Sequence, residues 1–310
     1  MCGIGGFIKE GNVEDEFLKN LIRDLAIQLQ SRGQDACGVY TSIGQGIVNK
    51  APGPASRFQA WPEHYGQVTL VHARAATHGT PRNNNNNHPI IGLEKVLIHN
   101  GIVWGEKLAD YPYKGECDSE ILLSYIERFG ITEGLKKSHG SIAAAFCDMA
   151  APKKLWLYSY SSPLWLAYVP KWGVLFGSTK EIVRAIVKRH WSKWLGIFMA
   201  GALYEVDDNE LLELDLATMT FKTEKLISKN SSYSWRYRGQ SRPIRCSSDA
   251  DLPFTTAGKE RSDLERPRNL IYSRYDVCDF CNQKNFVRPT RDLKLKICEN
   301  CDLKTKPTKG

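Results

Sequence analysis

Between residues 67 and 179 the chain breaks into short apolar stretches closed off by turn residues: QVTLVHARAAT, KVLIHNGIV, GSIAAAFCD, KLWLYSY, LWLAYV and GVLFGST. Stretches of this length, rich in β-branched and aromatic residues and bounded by Gly, Pro, Asn or Ser, read as strands. Helical period is confined to three places. NVEDEFLKNLIRDLAIQLQSRG sets Phe17, Leu18, Leu21, Ile22, Leu25 and Leu29 on one face, with acidic residues in the first turn and Gly33 beyond the end. The others run from about Asp118 through SEILLSYIERFG and over TKEIVRAIVKRHW. Many strands with a few helices among them predict a layered α/β or α+β domain with substantial antiparallel sheet. No solenoid-length repeat is visible.

The length of 310 residues suits one large domain with a small appendage, or two ordinary domains. Hydrophobic residues at 42% and charged residues at 25% are the proportions of a soluble globular protein. No apolar run approaches the roughly 18 residues of a membrane span, and the N-terminus lacks a signal peptide's regions. The expectation is a cytoplasmic protein with no membrane contact. Nine cysteines fit a reducing compartment, where thiols act as nucleophiles, metal ligands or small core residues.

The net charge of +8 is unevenly placed. Residues 1–228 carry 24 Lys/Arg and 24 Asp/Glu, whereas residues 229–310 carry 18 and 10. A neutral body with a basic tail points to an acidic partner, nucleic acid or protein, or to a tail that aids solubility. Near 228 the texture also turns polar and rich in Ser, Arg and Pro, without apolar period. Three regions follow: a body over 2–228, a basic polar linker over 229–275 and a compact cysteine-rich segment over 276–304.

That last segment pairs Cys278-x-x-Cys281 with Cys298-x-x-Cys301, leaving 16 residues between the pairs. The spacing suits a tetrahedral four-thiolate zinc site, and so short a segment needs a metal to fold. Lys284, Arg288, Arg291, Lys294 and Lys296 stand beside Phe286, a mixture able to contact phosphates and stack a base. Zinc ribbons also dock proteins or act as structural clips, and the sequence leaves all three open.

Five motifs in the first 120 residues, MCGIGG, SRGQDACG, HARAATHGT, LIHNGIV and CDSEIL, place reactive or polar residues beside glycine in loops and at strand ends. If Met1 is removed, Cys2 becomes the first residue. It then carries a thiol nucleophile and a free α-amine with a pKa of about 7.7–8.0, attacker and base in one residue.

Taken together and in this order, the five motifs resemble the glutaminase domain of the class II (N-terminal-nucleophile) glutamine amidotransferases, over roughly residues 2–228. The resemblance implies a four-layer α-β-β-α N-terminal-nucleophile hydrolase sandwich of the α+β class, to which the tail adds a small zinc ribbon. It also implies hydrolysis of L-glutamine to glutamate and ammonia through a Cys2 thioester. By the same resemblance, Asn100 and the Gly101 N–H would form the oxyanion hole, Arg74 would clamp the α-carboxylate, Asp118 would hold the α-ammonium, and Thr77 and His78 would line the pocket. No cofactor is needed for that hydrolysis. Two departures are Ala75, where sugar-forming members carry an aromatic residue, and Ala36, where serine is usual.

His72 and His99 are expected to orient or pack strands. His88 and the NNNNN run are expected to form a mobile loop closing over bound glutamine. About 80 residues follow the body, too few for the acceptor domains of this family, so the ammonia is expected to reach an acceptor on a separate synthetase, as in modification of a nucleic-acid base. Two other readings stand beside this one: an N-terminal-nucleophile hydrolase of another amide, and a non-catalytic nucleic-acid-binding protein on a glutaminase scaffold.

Overall fold

A computed structural model of the protein describes residues 1–169, 171–191 and 203–226, and, as backbone strands only, 274–277, 284–289 and 296–298. The strands of the body form two sheets. The first has seven, in the order β11 (Leu203–Glu205), β9 (Trp165–Val169), β10 (Gly173–Gly177), β1 (Gly3–Lys9), β4 (Val68–Arg74), β2 (Ala36–Thr41) and β3 (Ile47–Pro52). The second has six, in the order β13 (Thr220–Lys225), β12 (Glu210–Asp215), β8 (Lys154–Tyr160), β7 (His139–Asp148), β6 (Lys95–Trp104) and β5 (Ile90–Ile91). Every neighbouring pair is antiparallel.

Helices close both outer faces. The apolar stripe of α1 (Asp15–Leu29), with Leu18, Leu21, Ile22, Leu25 and Leu29 all buried, packs with α4 (Lys180–His190) on Phe7, Val39, Val71 and Leu175 of the first sheet. Each such side chain contributes on the order of 1.5–3 kcal/mol by leaving water. The α4 start is set by Thr179, whose hydroxyl accepts from the Ile182 N–H at 3.3 Å. On the second sheet, α2 (Ser119–Phe129) and α3 (Ile131–Lys137) bury Leu122, Leu123, Ile126 and Leu135 against Leu97, Ile142, Phe146 and Trp156. A third core joins the sheets: Ile4, Ile8, Tyr40 and Leu70 meet Val96, Ile98, Ala145, Leu157 and Leu212. The order helix, sheet, sheet, helix is the expected four-layer sandwich.

Periodicity did not announce α3. Seven residues give too little pattern, and Gly130 ahead of it supplies no side-chain cap.

In the tail, β14 (Arg274–Val277), β15 (Lys284–Pro289) and β16 (Lys296–Cys298) pair antiparallel in that order. Cys298 is described as backbone only, as the last residue of β16, and Cys278, Cys281 and Cys301 lie outside the described residues, as do residues 229–273 of the linker. Among the described residues no helix is long and apolar enough to cross a membrane.

Candidate active site

Strand alternation gathers the key side chains on one face. Ile4 and Ile8 of β1 point into the core between the sheets, so Cys2, two residues ahead of Ile4, stands on the same face at the strand's entry. On β4, Val68 and Leu70 enter that core, and His72 and Arg74 continue their row. On β6, Val96 and Ile98 are followed by Asn100. Gly3 lies opposite Ala73, and β6 packs across the layers on both β1 and β4. One end of the inter-sheet space therefore receives a thiol, a guanidinium and a carboxamide.

The Cys2 thiol is half-buried. Its Sγ accepts from the Ala75 N–H at 3.3 Å and lies 3.4 Å from the Ala75 carbonyl oxygen. Burial pushes its pKa above the ordinary thiol value; the Ala75 N–H, the amino-terminal charge and Arg74 pull it down, and Asp118 adds to the rise. At neutral pH the sulfur thus keeps its proton, and a nucleophile in that state needs a base. Among the described residues no imidazole, carboxylate or amine is hydrogen-bonded to Sγ. The Cys2 carbonyl is oriented by Arg32, whose Nε donates at 2.9 Å.

The RGQD motif reveals its purpose here, which the sequence reading did not assign. A Cβ at Gly33 would lie 2.4 Å from the Arg74 carbonyl carbon and 2.5 Å from the Ala75 nitrogen, so only glycine lets the chain leaving β4 pass this close. Asp35 then ties that chain down: its N–H donates to the Arg74 carbonyl at 2.9 Å, and its Oδ2 accepts from the Ala76 N–H at 2.7 Å. A glycine followed two residues later by a short carboxylate was the available signal.

Arg74 is buried, and three of its five N–H donors bind the loop that follows it. Nη1 donates to Asn87 Oδ1 at 2.9 Å, and Nη2 donates to the carbonyls of His78 and of Gly79, the latter at 3.0 Å. Thr77 and His78 are on that loop with exposed side chains, and only the His78 carbonyl enters the network.

Asn100 is 1% exposed, yet both its Nδ2 and its Oδ1 lack a hydrogen-bond partner among the described residues. Leaving a buried amide unpaired costs about 1–3 kcal/mol per group, which marks a position held for something other than stability. Gly101, at φ +142°, has no room for a side chain, since its Cβ would fall 1.7 Å from the Ser141 carbonyl oxygen. Asp118 precedes α2, and its Oδ2 accepts from the Val103 N–H at 2.7 Å, tying that helix start to the strand carrying Asn100 and Gly101.

His72, His88 and His99 are internal. His72 donates from Nε2 to the His99 carbonyl at 3.1 Å, and His99 joins Ser119 Oγ at 2.9 Å. Burial lowers all three, His72 to about 3, so they are neutral. His72 and His99 thus pack and orient strands, as expected. His88 differs from the expectation of a mobile loop: it is 3% exposed, its ring stacked on His72 with centroids 4.1 Å apart. The asparagine run is likewise stapled. Asn86 and Asn87 are fully buried, Asn86 Oδ1 accepts from the Glu116 N–H at 2.7 Å, and Asn87 Nδ2 donates to the Pro81 carbonyl at 2.7 Å. Asparagine satisfies loop backbone locally, and here Asn86 and Asn87 do so from buried positions.

No family model matches the chain. Over 203 residues it is 29% identical to the glutamine–fructose-6-phosphate aminotransferase (isomerizing) of Streptococcus pneumoniae serotype 4, covering 59% of this chain and 33% of that protein. It is 30% identical to the Thermococcus kodakarensis aminotransferase of the same name over 188 residues, 53% of this chain and 30% of that one. The chain thus spans about a third of the length of these curated relatives. Among solved structures, the glutamine phosphoribosylpyrophosphate amidotransferase of B. subtilis aligns with a TM-score of 0.53 at 17% identity, over 73% of this chain and 49% of that one. A structure described as the allosteric regulatory enzyme of purine biosynthesis aligns at 0.56 with 18% identity, over the same shares. In sequence the body of this chain is similar to glutamine–fructose-6-phosphate aminotransferases, and its two-sheet sandwich is similar in fold to that of the glutamine phosphoribosylpyrophosphate amidotransferase.

Proposed function

We propose that the chain hydrolyses the side-chain amide of L-glutamine through a thioester on Cys2. The observation that carries the reading is the unpartnered carboxamide of Asn100 on the same inter-sheet face as the Cys2 thiol and Arg74. With Met1 removed, the α-amine takes the thiol proton and the thiolate attacks the amide carbon. Asn100 Nδ2 and the Gly101 N–H then hold the oxyanion. Collapse breaks the C–N bond, the α-ammonium returns its proton to the leaving ammonia, and water cleaves the thioester to glutamate. Arg74 has two N–H donors left for the α-carboxylate, and Asp118 meets the α-ammonium. Thr77 and His78 would turn toward the amino-acid end of the substrate.

Four free thiols among the described cysteines fit a reducing, cytosolic setting. The ammonia is passed to an acceptor on a separate synthetase. The basic C-terminal quarter supports a nucleic-acid base as that acceptor, with zinc held by Cys278, Cys281, Cys298 and Cys301. Metal analysis is expected to find one zinc per chain, lost when Cys278 and Cys281 are both changed to serine; a zinc-free protein would remove that assignment.

The function itself is tested by following glutamate and ammonia release from glutamine, asparagine and a simple primary amide. A preference for glutamine of at least about 10²-fold in kcat/KM is expected, since a site built for polar groups rejects substrates that leave them unpaired. Equal use of all three would point to a hydrolase of another amide.

A further inference from the structure

A lysine on an edge strand ordinarily extends its ammonium into water. Lys50 of β3 instead turns inward. It pairs with Gly38 of β2, and a Cβ at Gly38 would stand 2.1 Å from the His88 carbonyl oxygen, so the loop backbone lies directly on the sheet there. Lys50 Nζ grips this loop on either side of His88, donating to the Asn87 carbonyl at 2.8 Å and the Pro89 carbonyl at 3.1 Å. The grip is returned, because Asn84 Nδ2 donates to the Lys50 carbonyl at 3.1 Å. Asn87 then spends its side chain on two jobs: its Nδ2 binds Pro81 and Asn84, and its Oδ1 accepts from Arg74 Nη1 at 2.9 Å.

A continuous chain therefore runs from the Lys50 ammonium through the Asn87 main chain and carboxamide to the Arg74 guanidinium. We infer that Lys50 is a positioning residue for Arg74, fixing Asn87 and so the direction in which the guanidinium presents its remaining donors to an amino-acid α-carboxylate. The inference rests on the glutaminase reading of the site. Holding the ammonium here works against solvation: burial lowers Lys50 to about 8, with the Glu120 carboxylate opposing the shift. A merely solubilising lysine would not be drawn in at that cost.

The test measures L-glutamate affinity by calorimetry for the full chain and for K50M, K50R, N87A and K50M/N87A. Alkylation of Cys2 by iodoacetamide, which carries no α-carboxylate, is followed in parallel. K50M is expected to weaken glutamate binding about tenfold and leave alkylation unchanged, K50R to restore most of the affinity, and the double variant to bind no worse than N87A, because the two changes break one chain. K50Q, which keeps a donor, takes the place of K50M if thermal unfolding shows the latter misfolded. Unchanged glutamate affinity in K50M, or losses that add in full in the double variant, would overturn the inference. A native protein that binds no glutamate would sink the glutaminase reading first, and the inference with it.

Discussion

Replacing Cys2 with serine is expected to lower glutamine hydrolysis by at least about 10³-fold while leaving the fold and glutamate binding intact. The large loss follows from the nucleophile. A serine hydroxyl ionises far less readily than a thiol, and loss of the attacking group in other hydrolases costs on the order of 10⁶ in kcat. The small structural effect follows from position. Cys2 precedes β1, is half-buried, and among the described residues its sulfur hydrogen-bonds only with the Ala75 backbone, bonds that a hydroxyl can reproduce. Stability is therefore expected to change by no more than about 0.5 kcal/mol. Turnover by Cys2→Ser within tenfold of the native rate would place the chemistry on another residue.

Asn100→Leu sets activity against stability and gives the second large effect. Removing one oxyanion donor costs about 10² to 10³ in kcat with little change in KM, because the interaction exists only in the transition state. The same change removes two buried polar atoms that have no partner among the described residues and replaces them with a side chain of similar size. An unfolding temperature equal to or above the native one is therefore expected. A purely structural asparagine would show the reverse, a lower unfolding temperature with kcat nearly unchanged. Steady-state kinetics and thermal unfolding on one preparation separate the two.

The layering was legible because it depends on local pattern. Leu18, Leu21, Ile22, Leu25 and Leu29 recur at helical spacing and are all buried in α1, while the short apolar stretches became β4 and β6 to β10. The motif residues were legible for the same reason, since alternation along β4 and β6 carries Arg74 and Asn100 onto the face already defined by Leu70 and Ile98. Long-range contacts were not. Nothing local in NNNNNHPI says that Asn87 is fully buried against Arg74, or that His88 stacks on a histidine 16 residues earlier. Lys50, a single lysine in an edge strand, gave no sign that its ammonium grips the carbonyls beside His88. Asp35 and Gly33 were visible as a motif, but their task of holding the Arg74–Ala76 backbone appears only when β4 and the turn after α1 meet.

The geometry also says what Ala75 contributes, where sugar-forming members of the resembled family carry an aromatic residue. Ala75 works through its backbone, offering both N–H and carbonyl to the Cys2 sulfur, and a small side chain leaves those groups in place.

Cys2, freed of Met1, is proposed as the nucleophile of a glutamine site. Intact-protein mass with peptide mapping, before and after exposure to an electrophilic glutamine analogue, tests it most directly. Loss of Met1 and a single adduct on Cys2 are expected, with labelling slowed by excess L-glutamine. Retained Met1, or processed protein that labels elsewhere or not at all, would contradict it.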